Sequence, residues 1–192
     1  MNPAPPRVPA TRLLALLLIV AGCAAIAPDA PKLSQSPDAP YVPTPPEIVT
    51  EMLRGAGVGP SDLVYDLGSG DGRIVIAAAR DFGARGVGIE LDPRLIRDGQ
   101  DAAVKAGVSD RVTFVWKDIF DVDLSPATVV TIYLFPEVNV RLEPKLKREL
   151  RPGTRIVSHQ FPIGEWKPDR RAQLDSAFRK HALLFWTIPP AR

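Results

Sequence analysis

The chain has 192 residues, with 24 lysine and arginine residues against 22 aspartate and glutamate residues, and it contains one cysteine. This length is enough for one domain with a sizeable hydrophobic core. The near balance of charge gives no indication of a nucleic-acid partner, and none is expected. A single cysteine excludes an internal disulfide and a cysteine-rich zinc site, and we expect no metal ion.

Residues 1–23 have the layout of a secretory signal. Arg7 and Arg12 precede an apolar run at 13–21, which is shorter than a usual membrane span of about 20 residues. Residues 20–23, Val-Ala-Gly-Cys, resemble the lipobox of bacterial lipoproteins, which makes Cys23 the candidate lipidation site. Cleavage after Ala27 and an uncleaved membrane anchor remain the alternatives.

These features divide the chain into a signal peptide at 1–22, a tether at 23–43 and a globular domain at 44–192. The tether is rich in alanine and proline and cannot bury much surface. We expect a monomer attached to a membrane of the cell envelope. The alternatives are a secreted or periplasmic protein after signal cleavage and an inner-membrane protein that faces the cytoplasm.

The domain alternates strands and helices. Thr44 is expected to cap a first helix that ends at Gly55. The apolar runs predict strands at 63–66, 86–91, 111–116, 128–134 and 154–158, and helices at 73–81, 93–106 and 137–151. Pro144 is expected to break or kink the last helix, and residues 170–174 and 182–187 are expected to pair as antiparallel strands. The predicted fold class is α/β, with a doubly wound, mostly parallel seven-stranded Rossmann-like sheet whose last strand is antiparallel.

The stretch 63–73, Leu-Val-Tyr-Asp-Leu-Gly-Ser-Gly-Asp-Gly-Arg, reads as a buried strand, a glycine-rich turn and the start of a helix. Missing Cβ atoms let the chain bend sharply and let a ligand lie against the backbone. The helix start supplies free N–H donors, and the strand ends at the carboxyl edge, where open α/β sheets bind ligands. The candidate binding residues here are Asp66, Gly68, Ser69, Gly70 and Gly72.

Two later acids indicate an adenosine ligand. Glu90 ends the second strand, where a carboxylate can accept two hydrogen bonds from a ribose diol. Asp118 follows the third strand, where it could meet an adenine amino group. Leu91 and Ile119 could then sandwich the adenine ring.

The spacing of the turn distinguishes between adenosine compounds. A dinucleotide site requires Gly-x-Gly-x-x-Gly, whereas this chain has Gly68-x-Gly70-x-Gly72 with Asp66 before it. The extra acid suits a ligand with an ammonium group better than a pyrophosphate. The arrangement resembles the first motif of class I methyltransferases, which bind S-adenosylmethionine. This resemblance implies that the turn contacts the methionine moiety, that Glu90 holds the ribose and that Asp118 holds the adenine.

Three further blocks resemble the mitochondrial lysine methyltransferases that modify the ATP synthase and the ADP/ATP carrier, with their bacterial relatives. They are Tyr-Val-Pro-Thr-Pro at 41–45, Tyr-Leu-Phe-Pro-Glu-Val at 133–138 and Val-Ser-His-Gln-Phe-Pro at 157–162. A looser similarity to the Dot1 type of histone lysine methyltransferase lies in the same blocks. The resemblance implies a protein-lysine N-methyltransferase with S-adenosylmethionine as methyl donor and a lysine-bearing protein as partner. It also implies that residues 41–44 fold over the cofactor, with Thr44 near its methionine end.

A lysine acceptor must be neutral, although its free pKa is about 10.4. A hydrophobic slot lowers that pKa, and we interpret Tyr133 and residues 134–136 as the wall of such a slot. Glu137 or His159 could orient the amine or take its proton. The alternatives are an ordinary first-turn acid for Glu137 and a hydrogen bond to a backbone carbonyl for His159. His181 is expected at the surface.

Two other functions stay open from the sequence. One is a small-molecule methyltransferase. The other is an envelope lipoprotein that retains the fold without catalysis, because S-adenosylmethionine is made in the cytoplasm whereas the N-terminus predicts export. The basic run on the last helix is expected to form a solvated face (Lys145, Lys147, Arg148 and Arg151).

Overall fold

The computed structural model describes Met1, residues 41–176 and residues 179–190. The predicted signal peptide beyond Met1, the lipidation site Cys23 and residues 23–40 of the predicted tether lie outside the described residues. Within the described part of the chain, no helix is both long enough and apolar enough to span a membrane.

Residues 41–176 and 179–190 contain four helices and seven strands. The helices are α1 (Pro46–Gly55), α2 (Arg73–Phe82), α3 (Pro93–Lys105) and α4 (Pro136–Glu149). The strands are β1 (Leu63–Leu67), β2 (Arg85–Glu90), β3 (Val112–Trp116), β4 (Val129–Ile132), β5 (Arg155–His159), β6 (Arg170–Ser176) and β7 (Arg179–Thr187).

The seven strands form one sheet in the order β3-β2-β1-β4-β5-β7-β6. β1 pairs in parallel with β2 and β4, and parallel pairing continues from β2 to β3 and from β4 to β5. β7 lies antiparallel between β5 and β6. The predicted fold class is confirmed. Because the strand order reverses between β1 and β4, a crevice forms at their carboxyl ends, which is the usual ligand position in such sheets.

Successive residues of a strand face opposite sides of a sheet, and β1 shows this directly. Tyr65 and Leu67 pack in a core with α4, whereas Val64 packs in a second core with α1 and α2. Helices therefore cover both faces of the sheet. β1 is buried from Val64 to Leu67. The turn that follows therefore begins at a strand that is packed on both faces of the sheet.

The structure differs from the prediction at the first helix. α1 begins at Pro46 with Pro45 as its N-cap, and no side chain caps it. The prediction that Thr44 caps this helix is therefore wrong. The N-cap position is occupied by Pro45, whose side chain has no hydrogen-bond acceptor. The Thr44 hydroxyl contacts His159 instead, at 3.3 Å.

The predicted break at Pro144 is also wrong, because α4 continues through this proline to Glu149. Proline removes one backbone donor from the helix. Leu142 and Leu146 lie on either side of it and are fully buried in the core. Packing of this apolar stripe on the sheet keeps the helix continuous.

Two residues predicted at the surface are buried. Lys145 is 8% exposed, since its ammonium group pairs with Glu149 at 2.9 Å and its long apolar stem can be covered. His181 is 3% exposed because β7 begins at Arg179, earlier than expected. His181 therefore lies within the strand, opposite Leu174 of β6, rather than in a loop.

Candidate active site

A cavity of about 570 Å³ lies at the carboxyl edge of the sheet. Its walls come from the segment before α1, the turn after β1, the end of β2 and the loops after β3 and β4. Nine of the predicted cofactor residues line it: Thr44, Asp66, Gly68, Ser69, Gly70, Glu90, Leu91, Asp118 and Ile119. Gly72 lies outside this lining and forms the N-cap of α2 with φ at 76°.

The turn after β1 is tied to β2 through its backbone. The N–H groups of Gly68 and Ser69 both donate to the carbonyl of Ile89, at 3.0 and 2.9 Å. Gly70 has φ at 54°, a conformation that residues with side chains rarely adopt. A Cβ atom on Gly70 would lie 2.5 Å from Cε2 of Tyr41. The backbone conformation therefore favours glycine at this position, and a side chain here would also displace the Tyr41 ring.

Residues 41–44, which we call the roof, lie over this turn. Arg73 Nη1 donates to the carbonyl of Thr44 at 2.9 Å, and Nη2 donates to the hydroxyl of Tyr41 at 3.0 Å. The same guanidinium pairs with Asp71 at 2.7 Å. Burial raises the pKa of Asp71, but hydrogen bonds from Arg73 and Tyr41 outweigh it and hold that pKa below its usual value. Arg73 therefore joins the roof to the turn: it donates to the roof directly and forms an ion pair with the ionised Asp71 of the turn.

Glu90 is fixed by the backbone at the end of β2. Its Oε2 accepts a hydrogen bond from the N–H of Gly70 at 2.8 Å. Its Oε1 accepts from the N–H groups of Leu91 and Asp92, at 2.8 and 2.9 Å. These bonds hold the carboxylate in one orientation at the cavity wall. Asp118 is half-buried, and its Oδ1 accepts from the N–H of Phe120 at 2.9 Å.

Asp66 is the most deeply buried acid of the cavity, at 2% exposure. Its Oδ1 accepts a hydrogen bond from Thr131 Oγ1 at 2.6 Å. Burial raises the pKa of Asp66 to about 7. The hydrogen bond from Thr131 opposes this rise, and the charges of Glu90 and Asp71 add to it. A positively charged ligand group beside Asp66 would favour its ionised form.

The groups around the cavity fit S-adenosylmethionine. Five acids and two arginines line it, which favours a ligand with positive charge (Asp66, Asp71, Glu90, Asp92 and Asp118 against Arg73 and Arg94). Ser69 Oγ is buried without a hydrogen-bond partner among the described residues. Among the described residues, no cluster of three or more His, Cys, Asp or Glu side chains could hold a metal ion.

The three predicted catalytic residues lie in different environments. Tyr133 lines the cavity just after β4, beside Leu134. His159 is fully buried behind that wall, with its ring centroid 3.9 Å from that of Tyr133. Glu137 is exposed in the first turn of α4 and is outside the cavity lining. The structure therefore brings Tyr133 to the cavity and leaves His159 and Glu137 without direct access to it.

Sequence reasoning did not assign Asp71 or Arg73 to the site, and it included Tyr41 only as part of the segment expected to fold over the cofactor. Tyr41 begins the Tyr-Val-Pro-Thr-Pro block, and Asp71 and Arg73 stand at the end of the glycine-rich turn. An acid and an arginine two positions apart in such a turn are a possible ion pair. The contact of Arg73 with the roof joins segments far apart in the chain, and no local pattern indicates it.

The fold, the cavity and its lining define a class I S-adenosylmethionine-dependent methyltransferase. Two family models match the chain. The ANTKMT methyltransferase domain matches residues 66–170, and Histone methylation protein DOT1 matches residues 24–97. The chain belongs to the ANTKMT methyltransferase family. The predicted class of enzyme and the predicted cofactor are confirmed.

The relatives include proteins named for different acceptors. The chain is 45% identical over 157 residues to a protein-lysine N-methyltransferase of Saccharolobus islandicus, covering 81% of this chain and 98% of that protein. It is 42% identical to the adenine nucleotide translocase lysine N-methyltransferase of Mus musculus, over 64% of this chain, and spans only 52% of that protein. A solved structure described as an RNA methyltransferase from Salinibacter ruber, in complex with S-adenosyl-L-homocysteine, is 52% identical with a TM-score of 0.75. That match covers 79% of this chain and 96% of the Salinibacter chain.

Proposed function

We propose that this methyltransferase transfers a methyl group to the ε-amino nitrogen of a lysine in a protein. The observation that carries the proposal is the match to the Saccharolobus islandicus protein-lysine N-methyltransferase, at 45% identity across 98% of that protein. A match of this extent includes the cavity wall after β4 as well as the glycine-rich turn. It therefore bears on the acceptor and not only on the cofactor.

We assign the cofactor to this cavity, extending from the ends of β3 and β2 to the turn after β1. Its adenosine part would lie at the β2 and β3 end, where Glu90 would hold the ribose and Asp118 the adenine, with Leu91 and Ile119 on either side of the ring. Its methionine part would lie under the roof, against the turn and Asp66. The lining of the cavity by these residues supports the assignment. Gly72 contributes by forming the N-cap of α2 at the end of the turn.

S-adenosylmethionine supplies an electrophilic methyl group on its sulfonium. The protein must present a neutral amine in line with that group and exclude water. Tyr133 and Leu134 form an apolar wall at the end of β4 and disfavour the ammonium form of a lysine placed there. Glu137 could orient the amine only from the rim, and His159 could act only through a neighbour that reaches the cavity.

A second acceptor class has a specific observation in its favour. The Salinibacter ruber structure, 52% identical to this chain, is described as an RNA methyltransferase. Against RNA stands the near balance of 24 lysine and arginine residues with 22 aspartate and glutamate residues, since binding of phosphate groups draws on an excess of basic side chains. Protein is therefore the proposed acceptor, and RNA is the alternative that the experiment must distinguish.

Tritiated methyl transfer from S-adenosylmethionine into cell extracts tests the proposal. We expect a labelled band that protease removes and ribonuclease leaves, and Asp66→Ala should abolish it. Label that ribonuclease removes would establish RNA as the acceptor. Label found only in small molecules would reject both macromolecules. Acid hydrolysis of the band should yield methylated lysine.

We also propose that the N-terminal segment attaches the enzyme to a membrane of the cell envelope as a monomer. The support is the sequence alone: the apolar run at 13–21 and Cys23 after it. Cell fractionation with protease protection tests the location, and we expect the protein in the membrane fraction. Recovery in the soluble cytoplasmic fraction would contradict it. Light scattering of the purified chain tests the monomer.

A further inference from the structure

Thr44 and two buried histidines form a hydrogen-bonded chain behind the acceptor wall. Thr44 Oγ1 lies 3.3 Å from His159 Nδ1, and His159 Nε2 lies 2.8 Å from His181 Nδ1. The three residues are 3%, 0% and 3% exposed. Thr44 lines the cavity, whereas neither histidine does. Any effect of the histidines on a bound molecule must therefore pass through a neighbour that lines the cavity, and Thr44 is hydrogen-bonded to His159.

Thr44 belongs to the roof, under which we place the methionine part of the cofactor with its methyl group. The His159 ring contacts Thr44 on one side, and its centroid is 3.9 Å from that of Tyr133. Tyr133 follows β4 and belongs to the apolar wall. One imidazole therefore touches both residues, which places the Thr44 hydroxyl beside the slot for the amine. The backbone of Thr44 is held separately, because Arg73 donates to its carbonyl.

The protonated nitrogen of the neutral His159 ring decides which way the hydrogen of Thr44 points. Burial and the charges of His181 and Arg179 lower the pKa of His159 to about 4, so its ring is neutral near pH 7. A neutral imidazole has one N–H and one acceptor nitrogen. If Nε2 of His159 carries the proton and donates to His181, then Nδ1 must accept the hydrogen of the Thr44 hydroxyl.

We infer that His159 and His181 hold the Thr44 hydroxyl as a hydrogen-bond acceptor for the substrate amine. The inference rests on the proposed lysine acceptor. With its hydrogen committed to His159, Thr44 Oγ1 presents only lone pairs to the cavity and can bind an N–H of the neutral amine. The lone pair of the amine then stays free to attack the methyl group. A freely rotating hydroxyl could instead donate to that lone pair and block the attack. Thr44 contacts the substrate, and the histidines are positioning residues.

This arrangement distinguishes the successive methyl transfers. A neutral unmethylated lysine offers two N–H groups, a monomethylated lysine offers one and a dimethylated lysine offers none. Thr44 can therefore hold the amine during the first and second transfers. It has no hydrogen to accept during a third transfer. A role for Thr44 in general folding or in cofactor binding would show no such dependence on the methylation state.

The test uses the full chain and three short peptides that differ only in carrying an unmethylated, monomethylated or dimethylated lysine. Thr44→Val removes the hydroxyl and keeps the shape of the side chain. We expect it to slow transfer to the first two peptides about tenfold, as for one lost hydrogen bond, and to leave the third unchanged. Thr44→Ser should recover most of the lost rate. Thr50→Val deletes a comparable hydroxyl in α1, outside the cavity, and serves as the control.

Calorimetry with S-adenosylmethionine completes the kinetic test, and Thr44→Val should change the cofactor affinity less than twofold. An equal loss of rate on all three peptides, or a loss of cofactor affinity that matches the loss of rate, would overturn the inference. His159→Gln and His181→Gln should reproduce the pattern of Thr44→Val more weakly, with melting temperatures measured to exclude unfolding.

Nitrogen-15 NMR of the histidine rings gives a test that needs no acceptor. We expect the proton of His159 on Nε2 in the cofactor-bound protein. A proton on Nδ1 would overturn the inference, because Thr44 would then be the acceptor of that bond and its own hydrogen would face the cavity. If the wild type methylates none of the lysine peptides, that result counts against the proposed lysine acceptor. The NMR measurement still decides the direction of the hydrogen bond between Thr44 and His159.

Discussion

Replacing Asp66 by asparagine tests how the cavity uses a buried carboxylate. Asp66 is 2% exposed, and its Oδ1 accepts a hydrogen bond from Thr131 at 2.6 Å. Burial, opposed by this bond and reinforced by the charges of Glu90 and Asp71, raises its pKa from 3.8 to about 7. Asparagine has nearly the same shape and can accept the same hydrogen bond, but it cannot carry the charge.

The sign of the effect on stability follows from proton linkage. A carboxyl group with a higher pKa in the folded protein stabilises the fold at acid pH, and that contribution is lost as the pH rises from 3.8 to about 7. At roughly 1.4 kcal/mol per pK unit, the loss is on the order of 4 kcal/mol at most. We expect Asp66→Asn to raise the free energy of unfolding of the cofactor-free protein above about pH 7, and to change it little near pH 4.

Cofactor affinity should change in the opposite direction. The positive groups of S-adenosylmethionine favour ionised Asp66, so the affinity of the wild type should rise up to about tenfold per pH unit below about pH 7 and then level off. Asp66→Asn should bind weakly at every pH in this range. Calorimetry in two buffers with different ionisation enthalpies measures the released proton. A flat wild-type profile, or a variant that keeps the wild-type slope, would refute the reasoning.

Three further changes test other parts of the molecule. Arg73→Gln removes the bonds to the roof and should weaken cofactor binding about tenfold or more. Stopped-flow fluorescence should show that the loss comes chiefly from faster dissociation. Arg80→Gln, which breaks an exposed ion pair on the same helix, should leave cofactor affinity unchanged. Gly70→Ala places a Cβ against Tyr41 at a positive φ and should lower both the melting temperature and the cofactor affinity, measured by circular dichroism and calorimetry. Cys23→Ser should move the protein out of the membrane fraction if the cysteine carries the lipid, and unchanged fractionation would contradict the lipoprotein proposal.

The fold was predictable because its signals are local. The apolar runs, the glycine at the end of α1 and the glycine-rich turn after β1 mark the elements directly, and alternation of strands and helices implies a parallel sheet. The same locality made the cofactor residues accessible to prediction. Asp66 and Glu90 lie at the ends of β1 and β2, and Asp118 follows β3. Because these strands are parallel neighbours, the sheet brings the three acids to one edge without any knowledge of packing.

The features that the sequence did not predict depend on contacts between segments that are far apart in the chain. His181 was expected at the surface because the apolar pattern predicts shorter hairpin strands than the structure has, and its burial comes from pairing with β6. Thr44 was expected to serve its own helix, yet its hydroxyl meets a histidine far along the chain. Arg73 reaches the roof in the same way. Hydrophobic periodicity does not indicate which polar groups are in contact, because these contacts form only once the sheet is assembled.

Asp66 and Glu90 also favour exchange of the product for a new donor. Both carboxylates are held by neutral groups, a threonine hydroxyl and backbone N–H groups. The other acids of the turn and the β2 end pair with arginines (Asp71 with Arg73, and Asp92 with Arg94). Methyl transfer removes the sulfonium charge, so Asp66 and Glu90 lose part of their electrostatic attraction to the molecule that stays behind. Donor and product should therefore differ in affinity, and Asp66→Asn should bring the two affinities closer together.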